Sequence, residues 1–181
     1  MHRIGTALLV WGLLAGAPVT PEASPQITTL PVAEGGEVQA VFDVHAPLAV
    51  ARDVLWDTRH FPEFMPDTDY VHVLSEKPDE QVDDMGGSHG PFKASYVAER
   101  QLFPDKITWH ALSGAVKVND GFWAFQAIPG GTRLTYRVHL VPKLPAPGFV
   151  VAYLQRQALP AMIQAVRTRI EAQAKAEARP G

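Results

Sequence analysis

Cysteine is absent from the 181 residues of this chain, which excludes disulfide bonds and the acylated cysteine of a lipoprotein signal. The formal net charge is only -3, and the basic residues are scattered apart from a modest concentration near the C-terminus. This pattern lacks the basic surface of a nucleic-acid-binding protein, so we predict no nucleic-acid partner. The 46% hydrophobic and 19% charged residues are typical of one globular domain with a core of its own.

The N-terminus has the pattern of an export signal rather than of a folded segment. A basic start is followed by the apolar run Ile4–Ala17, which ends in small residues and is too short to span a bilayer comfortably. Pro18 directly after the small residues disfavours cleavage there, so a shifted cleavage site or an uncleaved anchor stays open. We predict a signal peptide at 1–17, a flexible linker rich in proline and small polar residues at 18–35, and a periplasmic or secreted location.

The folded domain is predicted to occupy residues 36–176, followed by a disordered tail at 177–181. It begins with alternating apolar and polar residues that predict a strand at 37–46. Apolar residues at helical spacing then predict a short amphipathic helix, and the prolines of "FPEFMP" predict a second helical turn. The predicted segments are the strand at 37–46, the helix at 47–57 and the turn between Pro62 and Pro66.

Five further segments alternate like strands and are joined by short turns, which favours antiparallel pairing. A glycine-rich stretch at 79–90 predicts a short strand that runs into a loop. The chain ends in a long helix at 148–176, with Pro160 expected to bend it. The five strands are predicted at 69–76, 92–103, 106–113, 119–128 and 132–141.

Two stretches, "HAPLAVARDVLWDTRHFPEFMP" and "GTRLTYRVHLVPKLPAPGFV" followed by "LPAMIQAV", resemble the START-like (SRPBCC) superfamily. The likeness is to its branch of polyketide cyclases and coenzyme Q-binding START-like domains, and it covers residues 37–173. Two features depart from the pattern: Ala51 stands where many relatives carry tryptophan, and the region 79–90 is short and rich in glycine. The matching residues are Ala46-Pro47, Val54-Leu55, Asp57, Phe61-Pro62, Phe64 and Pro66.

The resemblance implies an α+β helix-grip fold. In this fold a curved antiparallel sheet of about six to seven strands wraps around a long C-terminal helix, and two short helices follow the first strand. The superfamily's apolar cavity lies between sheet and helix, and its members include lipid carriers, hormone receptors and cyclases. Such a range means that the fold alone does not decide the activity.

Alternation along the strands predicts one apolar face directed inward and one polar face directed outward. The predicted inward residues are Tyr96, Ala98, Leu102, Ile107, Trp109, Ala111, Trp123, Phe125, Leu134, Tyr136, Val138 and Leu140. The predicted outward residues are Lys93, Glu99, Gln101, Thr108, His110, Arg133, Arg137 and His139.

Three parts of the chain together predict a cavity for a hydrophobic ligand: the inward face of the sheet, the corner between Pro62 and Pro66, and the last helix. The alternative is that the same side chains fill a core and leave no cavity. Arg100 is the one charge placed inward, either at the cavity rim, where it meets an acidic head group, or facing solvent beside a strand end. The predicted lining is Phe61, Phe64, Met65, Tyr96, Ala98, Arg100, Trp109, Trp123, Phe125, Tyr136, Val138, Met162 and Val166.

No catalytic residue, metal site or cofactor is predicted. His72 and His110 each stand alone on a strand, and Ser88-His89 lacks the strand-turn-helix setting of a hydrolase nucleophile. The aspartates of the loops lack the ligand spacing of a calcium site, so we interpret them as solvated turn residues. These aspartates are Asp67, Asp69, Asp83 and Asp84.

The favoured interpretation is an exported, non-catalytic binding or carrier protein for a lipid or other hydrophobic small molecule. One alternative is a cyclase or dehydrase acting on a polyketide-like substrate, with Tyr96, Tyr136 or Arg100 supplying a proton or stabilising an enolate. Another is an interaction module whose apolar groove meets a partner peptide or a membrane surface. The oligomeric state stays open.

Overall fold

The computed structural model describes residues 24–89, 92–143 and 158–179. The predicted signal peptide at 1–17 and the first ten residues of the predicted final helix lie outside these ranges. The strands are β1 Gln26–Leu30, β2 Gly36–Val44, β3 Tyr70–Glu76, β4 Glu80–His89, β5 Phe92–Phe103, β6 Lys106–Gly114, β7 Val116–Ile128 and β8 Gly131–Pro142. The helices are α1 Leu48–Trp56, a 3₁₀ turn Thr58–His60, α2 Phe61–Phe64 and α3 Leu159–Glu177.

The eight strands of the described ranges form one antiparallel sheet in the order β1-β2-β8-β7-β6-β5-β4-β3. The helix α3 packs on its inner face, where Ile163, Val166 and Ile170 are buried against Phe42 and Leu134. Burial of this apolar surface is the main favourable contribution to folding. The predicted α+β helix-grip architecture is confirmed, with eight strands rather than six or seven.

Two strands account for the higher count. The segment 18–35, expected as a flexible linker, contains β1, which pairs with β2 from Gln26↔Val41 to Leu30↔Glu37. Residues Glu80–His89 form a ten-residue strand where a short strand and a glycine loop were expected, since β4 pairs with both β3 and β5.

The C-terminal end of α3 also differs from expectation. Pro160 is the second residue of the described helix and follows Ala158, whose φ and ψ are helical, while the predicted start at 148 lies outside the described residues, so the bend at Pro160 stays a prediction. The helix reaches Glu177, the first residue of the predicted tail. Within the described ranges, no helix is both long and apolar enough to cross a membrane.

Candidate functional site: an apolar cavity beside a buried ion pair

A cavity of about 150 Å³ lies between the inner face of the sheet, α2 with the loop after it, and the start of α3. Nine of the thirteen predicted lining residues border it, so these side chains do more than fill a core. The described residues that line it are Phe61, Met65, Thr68, Met85, Tyr96, Ala98, Arg100, Trp109, Asn119, Trp123, Tyr136 and Met162.

The strand register brings these residues together. Alternate residues of β5 point to the same face, and Arg100 stands opposite Trp109 on β6 while Tyr96 stands opposite Met85 on β4. On the other side of the cavity, Trp123 of β7 is paired with Tyr136 of β8. Residues far apart in sequence therefore form one wall.

Aromatic rings dominate that wall. The Tyr136 ring stacks on Trp109 with centroids 5.7 Å apart and lies 4.6 Å from the Trp123 ring. Such ring pairs favour offset and tilted arrangements, which here present flat apolar surface to the cavity. Opposite them, the sulfur-containing side chains of Met65 and Met162 supply polarisable, adaptable surface.

A few polar groups interrupt the apolar lining. The indole Nε1 of Trp109 donates a hydrogen bond to Asn119 Oδ1 at 3.2 Å. Burial raises the pKa of Tyr96, although the nearby side chain of Asn119 acts in the opposite direction. Burial also raises the pKa of Tyr136, and the neighbouring Tyr96 adds to that rise. Both phenols therefore stay protonated at neutral pH and act as hydrogen-bond donors rather than as bases.

The loop after α2 closes one side of the cavity and depends on two glycines of β4. The Asp69 N–H donates to the Gly86 carbonyl oxygen at 2.9 Å. A Cβ atom on Gly87 would lie 1.7 Å from the Asp67 carbonyl oxygen, so only glycine allows the loop to approach this closely. The glycine-rich sequence therefore serves to seat the loop that carries Met65 and Thr68.

Arg100 is neither at the rim nor in solvent, contrary to both sequence-based expectations. It is 3% exposed, and its guanidinium donates to the carbonyl oxygens of Leu55 at 2.7 Å and Trp56 at 3.2 Å, at the C-terminal end of α1. A cation at this position satisfies carbonyl groups that the helix leaves unpaired and suits the helix dipole. The rings of Trp56 and Phe61 flank the guanidinium, 5.3 and 5.6 Å from its central carbon.

The counter-charge is Asp83, which the sequence analysis had placed among the solvated turn residues. Asp83 is fully buried on β4, and its Oδ2 lies 3.7 Å from Arg100 Nη1. Burial raises the pKa of Asp83 while the charge of Arg100 opposes the rise. Burial lowers the pKa of Arg100 to about 10, while Asp83 acts in the opposite direction. Arg100 thus remains charged at neutral pH.

Buried polar side chains surround this pair. Gln81 Oε1 accepts hydrogen bonds from Thr58 Oγ1 at 3.1 Å and from Arg100 Nη1 at 3.2 Å. Both carboxylate oxygens of Asp83 and the Nε2 of Gln81 have no hydrogen-bond partner among the described residues. Leaving buried polar atoms unpaired is costly, so this cluster is held by the surrounding fold rather than by complete hydrogen bonding.

Four residues predicted to line the cavity do not border it. Phe125 and Val166 are part of the main core, and Val138 packs against Val38 and Leu159. Phe64 contacts Phe61 edge to face at 5.7 Å but borders a separate groove of about 350 Å³ between the helices. There the guanidinium of Arg169 lies 5.5 Å from the Phe64 ring.

Three lining residues were missed by the sequence analysis: Thr68, Met85 and Asn119. Met85 belongs to the stretch 79–90, whose polar and glycine residues obscured the strand pattern. Asn119 begins the predicted strand 119–128 on the same face as Trp123, but its polar side chain did not match an apolar inner face. Thr68 follows α2 in a turn where no periodicity applies. Across the described ranges, no group of three histidine, cysteine, aspartate or glutamate residues is arranged to hold a metal ion.

A protein-family model described as polyketide cyclase / dehydrase and lipid transport matches residues 44–167, from the end of β2 into α3. The chain belongs to this family. The match confirms the resemblance on which the fold was predicted. No curated protein matches the chain.

Solved structures similar to this polyketide cyclase and lipid transport family member share its fold at low sequence identity. The STAR-related lipid transfer protein of Xanthomonas axonopodis is 17% identical with a TM-score of 0.70, over 81% of this chain and 93% of that one. Human STARD10 is 16% identical with a TM-score of 0.67, over 86% and 74% of the respective chains. The Zhui aromatase/cyclase from Streptomyces is 21% identical with a TM-score of 0.59, over 79% and 95%.

Proposed function

We propose that this domain binds a lipid or other hydrophobic small molecule in the cavity and serves as a non-catalytic carrier or binding protein. The observation that carries the proposal is the cavity of about 150 Å³ lined by aromatic and methionine side chains beneath α2. Apolar pockets with a few placed polar groups are typical ligand sites. Membership of a family described by lipid transport supports the same function.

The cavity size defines what fits in the present conformation. An apolar cavity of roughly 150 Å³ accommodates a benzene-sized molecule. A single ring, or the end of a larger molecule, therefore fits without rearrangement. A bulkier ligand requires part of the lining to move, and we propose that this part is the α2 corner with Phe61 and Met65, which borders the cavity opposite the sheet.

A cyclase is the second candidate, favoured by the position of Tyr96, Tyr136 and Arg100 around one cavity. The family description includes polyketide cyclases and dehydrases. Arg100, however, already donates to Leu55, Trp56 and Gln81, which ties its guanidinium to the fold. Incubation with a linear polyketone distinguishes the two: a cyclised product that disappears in Tyr136→Phe supports the enzyme, and unchanged substrate supports the carrier.

We also propose that the protein acts outside the cytoplasm, on the basis of the apolar run Ile4–Ala17 and the small residues that end it. The mature chain is expected to begin downstream of residue 16. N-terminal sequencing of exported protein tests this, and recovery of intact Met1 on a membrane-bound form would replace cleavage with anchoring.

The binding function is tested by filling the cavity. Ala98 is 1% exposed and lines the cavity, so Ala98→Trp places an indole of comparable size within it. Native mass spectrometry of protein purified from its own compartment, followed by organic extraction, is expected to show a hydrophobic ligand on the unchanged protein and its loss from the variant. Ala176→Trp, at an exposed position on α3, is the matched control.

Stability separates a cavity from a filled core in the same pair of variants. Overpacking a filled core costs about 1 to 3 kcal/mol, whereas occupying empty space costs less. A thermal melt close to that of the unchanged protein, together with loss of ligand, supports the proposal. A strongly lowered melt for Ala98→Trp, with no ligand on either protein, would contradict it.

A further inference from the structure

The charges beside the cavity cancel. Among the described side chains that line the cavity, only Arg100 carries a formal charge, and Asp83 lies behind it with 3.7 Å between Nη1 and Oδ2. Both side chains are excluded from solvent, at 3% and 0% exposure. The cavity therefore adjoins a buried ion pair of zero net charge rather than a free cation.

A carboxylate ligand in the cavity would place a second negative charge next to the ion pair of Arg100 and Asp83. It would have to compete with Asp83 for Arg100, three of whose hydrogen bonds already go to Leu55, Trp56 and Gln81. An ion moved from water into an apolar site pays a large desolvation cost unless a counter-charge is present. An uncharged ligand of the same shape avoids that cost.

A hydrogen-bond donor is nevertheless present. The Tyr136 hydroxyl has no hydrogen-bond partner among the described residues, although its ring is held between Trp109 and Trp123. Burial raises the pKa of Tyr136, so the hydroxyl keeps its proton at neutral pH. A carbonyl or ether oxygen of a ligand would accept a hydrogen bond from this hydroxyl in an apolar surrounding.

We propose that the cavity selects an uncharged ligand carrying a hydrogen-bond acceptor, with Tyr136 as the donor and Asp83 as the residue that excludes carboxylates by offsetting Arg100. This rests on the proposed binding function and narrows it to a chemical class. Asp83 acts through Arg100 and is a positioning residue, whereas Tyr136 is expected to touch the ligand.

The unchanged protein tests the proposal with three probes of nearly the same shape: acetophenone, benzoate and ethylbenzene. Their dissociation constants are measured at pH 7 by titration calorimetry, or by fluorine NMR with para-fluoro derivatives. We expect acetophenone to bind about three- to tenfold more tightly than ethylbenzene, which is the effect of one hydrogen bond. Benzoate is expected to bind at least tenfold more weakly than acetophenone.

Two variants assign the effects to residues. Asp83→Asn leaves Arg100 without its counter-charge and is expected to increase benzoate affinity at least tenfold, with little change for acetophenone. Asp84→Asn is the matched control, because Asp84 lies on the same strand and accepts a hydrogen bond from Tyr70 instead. Tyr136→Phe is expected to reduce acetophenone affinity to that of ethylbenzene, and Tyr70→Phe is expected to leave it unchanged.

The outcomes separate this inference from the binding function. Ethylbenzene binding that is lost in Ala98→Trp supports the binding function by itself. If all three probes fail to bind the unchanged protein, the binding function and this inference both fail. If ethylbenzene binds but benzoate binds as tightly as acetophenone, only the charge selection is overturned, even if Asp83→Asn does not fold. Equal loss of all probes in Tyr136→Phe would assign that tyrosine a purely structural role.

Discussion

Replacing Arg100 by methionine tests whether the buried ion pair of Arg100 and Asp83 stabilises the folded state. The change keeps an unbranched apolar stem but removes three hydrogen bonds, to Leu55 O, Trp56 O and Gln81 Oε1. It also leaves the carboxylate of Asp83 buried without a counter-charge. Both consequences destabilise the folded state relative to the unfolded state, in which these groups are hydrated.

The expected loss is about 3 to 5 kcal/mol in the free energy of unfolding at pH 7, because removal of one partner from a buried ion pair leaves an uncompensated charge. Adding Asp83→Leu removes that charge as well. The double variant is expected to recover about 2 kcal/mol or more, since apolar replacement of a whole buried pair is often neutral. Urea unfolding followed by tryptophan fluorescence measures both values.

The pH dependence of the stability loss in Arg100→Met shows whether the Asp83 carboxylate causes that loss. Burial raises the pKa of Asp83 in the folded state. The contribution of Asp83 to the free energy of unfolding is therefore full below about pH 4 and is lost as the pH rises through the raised pKa. Removing Arg100 raises that pKa further. The deficit of Arg100→Met should therefore shrink between pH 7 and pH 5. Energetic coupling between Arg100 and Asp83 would be refuted if Arg100→Met lost less than about 1 kcal/mol in the free energy of unfolding. A double variant no more stable than Arg100→Met would refute it as well.

Three further predictions concern the cover, the phenols and the loop. Phe61→Ala should speed exchange of a bound uncharged quinone in stopped-flow experiments, whereas Phe64→Ala should not, because of these two residues only Phe61 lines the cavity; faster exchange in Phe64→Ala alone would reverse the assignment. The raised pKa of Tyr136 means that its contribution to stability is lost above about pH 10, so Tyr136→Phe should move alkaline unfolding to higher pH, and an unmoved midpoint would speak against a buried phenol. Gly87→Ala should displace the loop at Asp67 and weaken ethylbenzene binding; full affinity with an unchanged melt would show that the close approach is dispensable.

Alternation predicted the inner face well where the strands carry apolar side chains inward. Ile107, Trp123 and Leu134 were all placed inward and are buried. The apolar face of the sheet packs against the helix, and this fixes the orientation of each strand residue. A shift of the strand register by one residue would turn every side chain to the other face.

The same reasoning failed on β4. Gln81 and Asp83 point inward, so the polar residues occupy the positions at which the pattern expects apolar ones. The burial of Arg100 could not be recognised without this strand, since a charged side chain is almost never fully buried unless it is paired. Its partner Asp83 lies seventeen positions earlier in the chain, in a region predicted as a short strand that runs into a loop, with Asp83 assigned to the loop.

The sequence also could not predict on which side of α2 each aromatic side chain lies. Phe61 and Phe64 belong to a helix of four residues, which is too short for a periodic stripe to define one face. Only the contact of the corner with β3, β4 and α3 decides that Phe61 meets the cavity and Phe64 meets Arg169.

The cavity lining makes ligand binding sensitive to oxidants. The chain has four methionines, and the three after Met1 all border the cavity: Met65, Met85 and Met162. Oxidation converts each thioether into a polar sulfoxide and would turn an apolar wall into a wet one. Peroxide should therefore release a bound apolar molecule before it unfolds the domain, and treatment with methionine sulfoxide reductases should restore binding.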